Sequence, residues 1–127
     1  MLELVGENEH PEIEARYNVT PGQRSTVVTV GENSSRCLTE MRWGLVPSWV
    51  RNPTSSHRMI NARVETVAEK PAFRDSVVHR RCVVAADGFY EWQRFSGGKQ
   101  PYLLRLNNGV PFGFAGLWDC WRSPDGR

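Results

Sequence analysis

Residues 80–106 read RRCVVAADGFYEWQRFSGGKQPYLLRL. Arg80–Ala86 is an apolar, β-branched run of strand length, and Asp87-Gly88 is a turn signal. Phe89–Phe95 is rich in aromatic residues and reads as a second strand. SGGK is a hairpin turn, and PYLLRL is its partner strand. Alternation along a strand sends Phe89, Glu91 and Gln93 to one face and Tyr90 and Trp92 to the other. Three strands within this stretch commit the chain to a sheet.

The flanks agree. Asn107–Gly109 is another turn, followed by VPFGFAGLWDCW. Towards the N-terminus, Val67–Asp75 is a candidate helix with Pro71 near its start, Ile60–Val64 is short and mixed, and Arg51–Arg58 is polar loop. MRWGLVPSWV (41–50) is apolar but broken by Gly44 and Pro47, which argues against a regular helix or central strand across it. Ser25–Val30 and Arg36–Arg42 read as strands joined by a turn at Gly31–Ser35. Arg16–Pro21 is extended and ends at a turn, and residues 1–14 look like the tail of a short helix stopped at Pro11. The sum predicts an α+β, mainly β single domain over 1–127. Its sheet is expected to be curled, barrel-like and mostly antiparallel, with short helices.

A length of 127 residues fits one domain, and 39% hydrophobic with 24% charged residues is ordinary for a soluble globular chain. No apolar run is long enough to span a membrane, and MLELVGENEH lacks the basic and apolar regions of a signal peptide. The expected location is the cytoplasm. Cys37, Cys82 and Cys120 are widely spaced, with no C-x-x-C and no nearby His. They are expected to be reduced thiols, with no metal or cofactor. The net charge of +2 hides an asymmetry. Residues 1–14 hold five acids and no Lys or Arg, so the remainder carries sixteen bases against nine acids, or +7. Fourteen of the sixteen are Arg, whose planar fork suits phosphate.

Arg42, Trp43, Trp49, Arg51, Arg58 and Arg63 interleave aromatic faces with cations, a mixture that suits single-stranded nucleic acid. The plainer alternative is that the tryptophans are core. Trp49, between Pro47-Ser48 and Asn52-Pro53, lies in loop chemistry where a large ring is hard to bury. Glu91 is a carboxylate among aromatics, and partial desolvation there would suit it to proton transfer. On its own Glu91 reads better as an ordinary surface glutamate, and Asn61 as a turn cap.

Four segments taken in order change that balance. RYNVTPGQ (16–23), MRWGLVPSWV (41–50), INARVET (60–66) and ADGFYEW (86–92) together resemble the SOS-response-associated peptidase (SRAP) domain family, and the likeness continues through PYLLRL and FAGLWDCW. The resemblance implies binding to single-stranded DNA containing abasic sites and covalent capping of the lesion. In the family the reactive group is a cysteine that follows the initiator Met. Its α-amine, with a pKa near ~8, attacks the aldehyde of the ring-opened sugar, and its thiol closes the iminium to a thiazolidine. An associated autoproteolytic activity removes residues before that cysteine. The match assigns Asn61 to positioning the sugar and the N-terminal residue, and Glu91 to moving protons. It assigns Arg63 to a DNA phosphate, Trp49 to stacking near the lesion, and Pro21 to the cleft edge.

Two departures shape the expectation. Met1 is followed by Leu2 where the family has Met-Cys-Gly-Arg, and no His-x-Arg-Met-Pro type segment follows FAGLWD. The three cysteines are internal and present no α-amine. The 127 residues are thus expected to be an incomplete domain that makes no thiazolidine of its own and tends to self-associate. A non-catalytic single-strand binding module and an inactive fragment remain the alternatives.

Overall fold

The structure, a computed structural model, describes residues 13–50 and 59–122. Among the described residues, six strands form two antiparallel sheets, accompanied by one short α-helix and a single 3-10 turn at Glu32–Ser34. β1 (Arg24–Val30), β2 (Arg36–Arg42), β3 (Arg81–Ala86) and β6 (Phe112–Leu117) make a four-stranded sheet in the order β2-β1-β3-β6. β4 (Phe89–Phe95) and β5 (Gly98–Leu104) make a separate two-stranded ribbon. The mainly β, antiparallel architecture is the one expected. The sheets are open ribbons and do not close into a barrel.

Register shows how the core is chosen. Thr29 pairs with Cys37 on one side and Cys82 on the other, and Val27 pairs with Thr39 and Val84. Residues directly opposite share a face. The buried residues Val27, Thr29, Cys37 and Cys82 therefore line one side of the sheet. Phe73 and Ser76 are also buried, and α1 (Arg74–His79) packs on β3, so the core lies between the helix and that face. In β6, small residues let β3 side chains lie over the backbone. A Cβ at Gly116 would sit 2.8 Å from Cys82 Sγ, and one at Gly113 would sit 2.4 Å from Val83 Cγ1.

The helix starts later than expected. Residues 64–73 form successive turns, with Thr66 N donating to Arg63 O at 3.1 Å and Lys70 N to Thr66 O at 3.2 Å. Pro71 has no N–H to continue a ladder, and the residue before a proline is disfavoured in the helical region. A regular α-helix begins only at Arg74. The second hairpin is tighter than the four-residue SGGK turn. Phe95 pairs with Gly98, which leaves a two-residue Ser96-Gly97 loop. The first hairpin turns through Asn33 and Ser34 at φ near 60°, a left-handed region that Asn tolerates. The polar loop expected at 51–58 and the helical tail and Pro11 stop expected within 1–12 lie outside the described residues.

Every residue of β4 and β5 is exposed. The ribbon meets the main sheet through Phe89, whose ring lies edge-on to Phe114 and Phe112 of β6 at 5.4 and 6.2 Å. Among the described residues no helix is long and apolar enough to cross a membrane.

Candidate functional site

The site residues sit on segments held together by backbone groups. Thr20-Pro21-Gly22-Gln23 is a tight turn, with Gln23 N donating to Thr20 O at 3.1 Å and Gly22 at φ 89°. Pro at the second position and a residue with positive φ at the third is the pattern of a type II turn. Beyond the end of the β1–β2 pairing, Gly22 N donates to Trp43 O at 2.7 Å and Trp43 N donates to Gln23 O at 2.8 Å. Gly44, at φ 125°, then bends the chain out of the sheet.

Trp43 carries the next link. Its indole Nε1 donates to Ile60 O at 2.9 Å, and Leu45 N donates to Met59 O at 3.2 Å. A partly buried indole N–H needs an acceptor, and here the acceptor is the residue before Asn61. The segment 59–60 is thereby laid along 43–45, and Asn61 leaves it exposed. A longer contact reaches the ribbon, where Tyr90 Oη lies 3.5 Å from Tyr17 O. The turn of Pro21, the Trp43 strand end, the Asn61 segment and the Glu91 strand are thus linked in one connected set.

Glu91 is exposed on β4, opposite Tyr102 of β5. The alternation expected from the sequence holds, but the desolvation does not. The ribbon buries neither strand, and Glu91 faces solvent. It borders an open hollow of about 410 Å³ together with Trp92, Arg94 and Lys99. Arg63 is exposed and has no ion-pair partner among the described residues.

Trp49 is held by a different set of contacts. Pro47 is fully buried, while Trp49 is 65% exposed two residues on, as the loop reading anticipated. Val50 N closes the turn onto Pro47 O at 3.0 Å, and Trp121 Nε1 donates to Val50 O at 2.6 Å. Asp119 anchors the loop. Its Oδ2 accepts from Ser48 N at 3.0 Å and its Oδ1 from Cys120 N at 2.8 Å. Arg80 Nε stands 3.2 Å from Asp119 Oδ1, an ion pair not aligned as a hydrogen bond, and its guanidinium also pairs with Asp75. Trp49 lines a second hollow of about 180 Å³ with Pro71, Ala72 and Arg74 among its walls. Trp49 and Glu91 therefore border separate depressions.

Sequence reasoning missed Trp43, Tyr90 and Asp119 as positioning residues. Asp119 meets Ser48 across 71 positions of sequence, and no local pattern marks that pairing. Burial pushes the Cys82 thiol above its ordinary pKa, and among the described residues no three His, Cys, Asp or Glu gather as a metal site.

The family model described as SOS response associated peptidase (SRAP) matches residues 1–127. The chain belongs to the SRAP family. Among its relatives, abasic site processing protein YoqW of Bacillus subtilis is 41% identical over 112 residues, which cover 87% of this chain and 50% of that protein. Abasic site processing protein HMCES of Xenopus tropicalis is 36% identical over 138 residues, covering 87% of this chain and 41% of that protein. A crystal structure of a Bacteroides thetaiotaomicron protein superposes with a TM-score of 0.74 at 32% identity, covering 84% of this chain and 46% of the other. One from Bordetella bronchiseptica gives 0.74 at 28% identity, covering 93% and 58%. The chain spans about half the length of the curated SRAP relatives it matches.

Proposed function

We propose that this chain forms the strand-binding and proton-handling part of a SRAP domain that processes abasic sites in single-stranded DNA. In the complete domain, the lesion is capped through an N-terminal cysteine. The observation that carries this reading is the set of bonds around Trp43, which ties the segments bearing Pro21 and Asn61 to one strand end. The Tyr90 contact adds the strand of Glu91. The names of the relatives, the Arg-rich body and the exposed Trp49 point the same way.

The chemistry follows from the groups available. Opening of the abasic sugar exposes an aldehyde, and an α-amine adds to it. Loss of water from that adduct needs a proton delivered to the leaving oxygen, and Glu91 is the carboxyl group on the segment for that transfer. A neighbouring thiol then adds to the iminium carbon and gives up its proton as the thiazolidine closes. Asn61 would hold the sugar by its amide, Arg63 the phosphate, and Trp49 a flanking base. The exposure of Glu91 favours, as a second reading, a module that binds the strand without catalysing a step.

Fluorescence anisotropy with labelled single strands bearing a tetrahydrofuran abasic analogue tests the binding. Tighter binding to the single strand than to the duplex, falling with salt, is expected. Equal binding to both would overturn the proposal. With an authentic abasic strand and a domain that carries the N-terminal cysteine, a Glu91→Gln variant separates the two readings. Slower crosslinking at unchanged affinity supports proton transfer, and an unchanged rate supports the binding module.

A further inference from the structure

At the tip of the β4–β5 ribbon, Arg94 and Lys99 are directly opposed in the antiparallel register, one pair before the Ser96-Gly97 loop. Residues so paired project on the same face with Cβ atoms close together, and like charges in that position repel. Both side chains are exposed, and neither has an ion-pair partner among the described residues. The two together border the hollow that also takes in Trp92 and Glu91. A two-stranded ribbon has free edges on both sides, so groups that alternate to opposite faces can border one open depression.

We infer that Arg94 and Lys99 form a clamp for one backbone phosphodiester of the DNA strand as it leaves the Glu91 hollow. An anion between the two cations turns their mutual repulsion into attraction to a shared partner. Arg supplies a planar pair of donors and Lys a mobile point charge, a combination that fits the tetrahedral oxygens of a phosphodiester. Arg94 lies three residues from Glu91, about 10 Å along a strand at ~3.4 Å per residue. That is the distance of a phosphate one or two nucleotides from the lesion. The inference rests on the single-strand reading above and adds to it where the strand runs.

The test uses Arg94→Ala and Lys99→Ala with single strands carrying the tetrahydrofuran analogue, titrated over a range of salt. Each variant is expected to keep or slightly raise its Tm, because a repulsion is removed. Each should also flatten the log–log salt dependence by about 0.7, the value for one phosphate of a single strand. Scanning one methylphosphonate linkage along the oligonucleotide should find a position near the lesion that weakens the wild-type protein and leaves both variants unaffected. Arg94→Lys, which keeps the charge, should retain most of the slope even if the alanine variants are destabilised. Wild-type slopes in both alanine variants would overturn the clamp while leaving single-strand binding intact. So would a methylphosphonate effect that is the same at every position, since that reports diffuse charge and no site. If inorganic phosphate at millimolar concentration competes as strongly as the strand, the site is a free-anion site and the inference fails. Absence of any binding by the wild-type protein sinks the single-strand reading and this inference together.

Discussion

Replacing Trp43 with Phe separates the role of its indole N–H from that of its ring. The aromatic bulk stays, and the bond from Nε1 to Ile60 O at 2.9 Å is lost. Ile60 is only partly exposed, so its carbonyl loses a partner that water replaces incompletely. A typical hydrogen bond contributes about 1 kcal/mol net, and a stranded buried acceptor raises the cost to about 1–3 kcal/mol. An unfolding entropy near 2.1 cal/mol/K per residue makes 1 kcal/mol worth about 4 °C in a chain of this length. Trp43→Phe should therefore lower the Tm by roughly 4–11 °C. The effect on binding should be larger than stability alone predicts. After the loss, the hydrogen bond that remains between segment 59–60 and 43–45 among the described residues is the longer Leu45–Met59 bond at 3.2 Å, so Asn61 would be presented less firmly. The assay is thermal unfolding by circular dichroism alongside anisotropy with the abasic analogue, both at temperatures where the variant is folded. A folded Trp43→Phe protein with wild-type Tm and wild-type affinity would refute the idea that this indole positions the site.

Gly113→Ala drives a Cβ to 2.4 Å from Val83 Cγ1, and a β-branched side chain cannot rotate away cheaply. We expect a loss of about 1–3 kcal/mol, largely recovered in the Gly113→Ala/Val83→Ala double variant. Thr29 is buried and its Oγ1 has no hydrogen-bond partner among the described residues. Thr29→Val should raise stability by about 1 kcal/mol, and a lower Tm would show that the hydroxyl is satisfied in solution. The Cys82 thiol is raised above 9.0 by desolvation. The folded state holds that proton longer than the unfolded state, so the stability it contributes is full below pH 9.0 and is lost as pH rises through the folded value. Iodoacetamide should label exposed Cys120 first, and should reach Cys37 and Cys82 only on unfolding. Arg63→Ala should flatten the salt dependence of DNA binding by about 0.7 without changing Tm. Trp49→Ala should weaken binding by roughly 1–3 kcal/mol if the ring stacks a base.

Much of this protein is written locally. The run RRCVVAADGFYEWQRF fixes a strand, a turn and a second strand, because β-branched packing and Asp-Gly turn chemistry act within a few residues. The register of the β4–β5 ribbon puts Glu91 opposite Tyr102 and Trp92 on the other face, as alternation alone requires. Four ordered segments were enough to indicate the family. Composition was enough to show a basic, Arg-rich body that suits phosphate. Two local expectations were off: the helix placed at Val67–Asp75 with Pro71 near its start begins only at Arg74, and the SGGK turn is a two-residue loop.

Tertiary structure decided the rest, because the deciding contacts join residues far apart in sequence. Nothing near Trp43 announces that its indole would meet the carbonyl before Asn61, and nothing near Ser48 announces Asp119. Solvent exposure was equally out of reach. The aromatic neighbours that suggested a desolvated Glu91 surround it in sequence, but they stand on a ribbon that buries neither of its strands. Periodicity assigns a residue to a face of its strand. What covers that face depends on how other elements pack, and for Glu91 that question was settled only when β4 and β5 formed a ribbon apart from the main sheet.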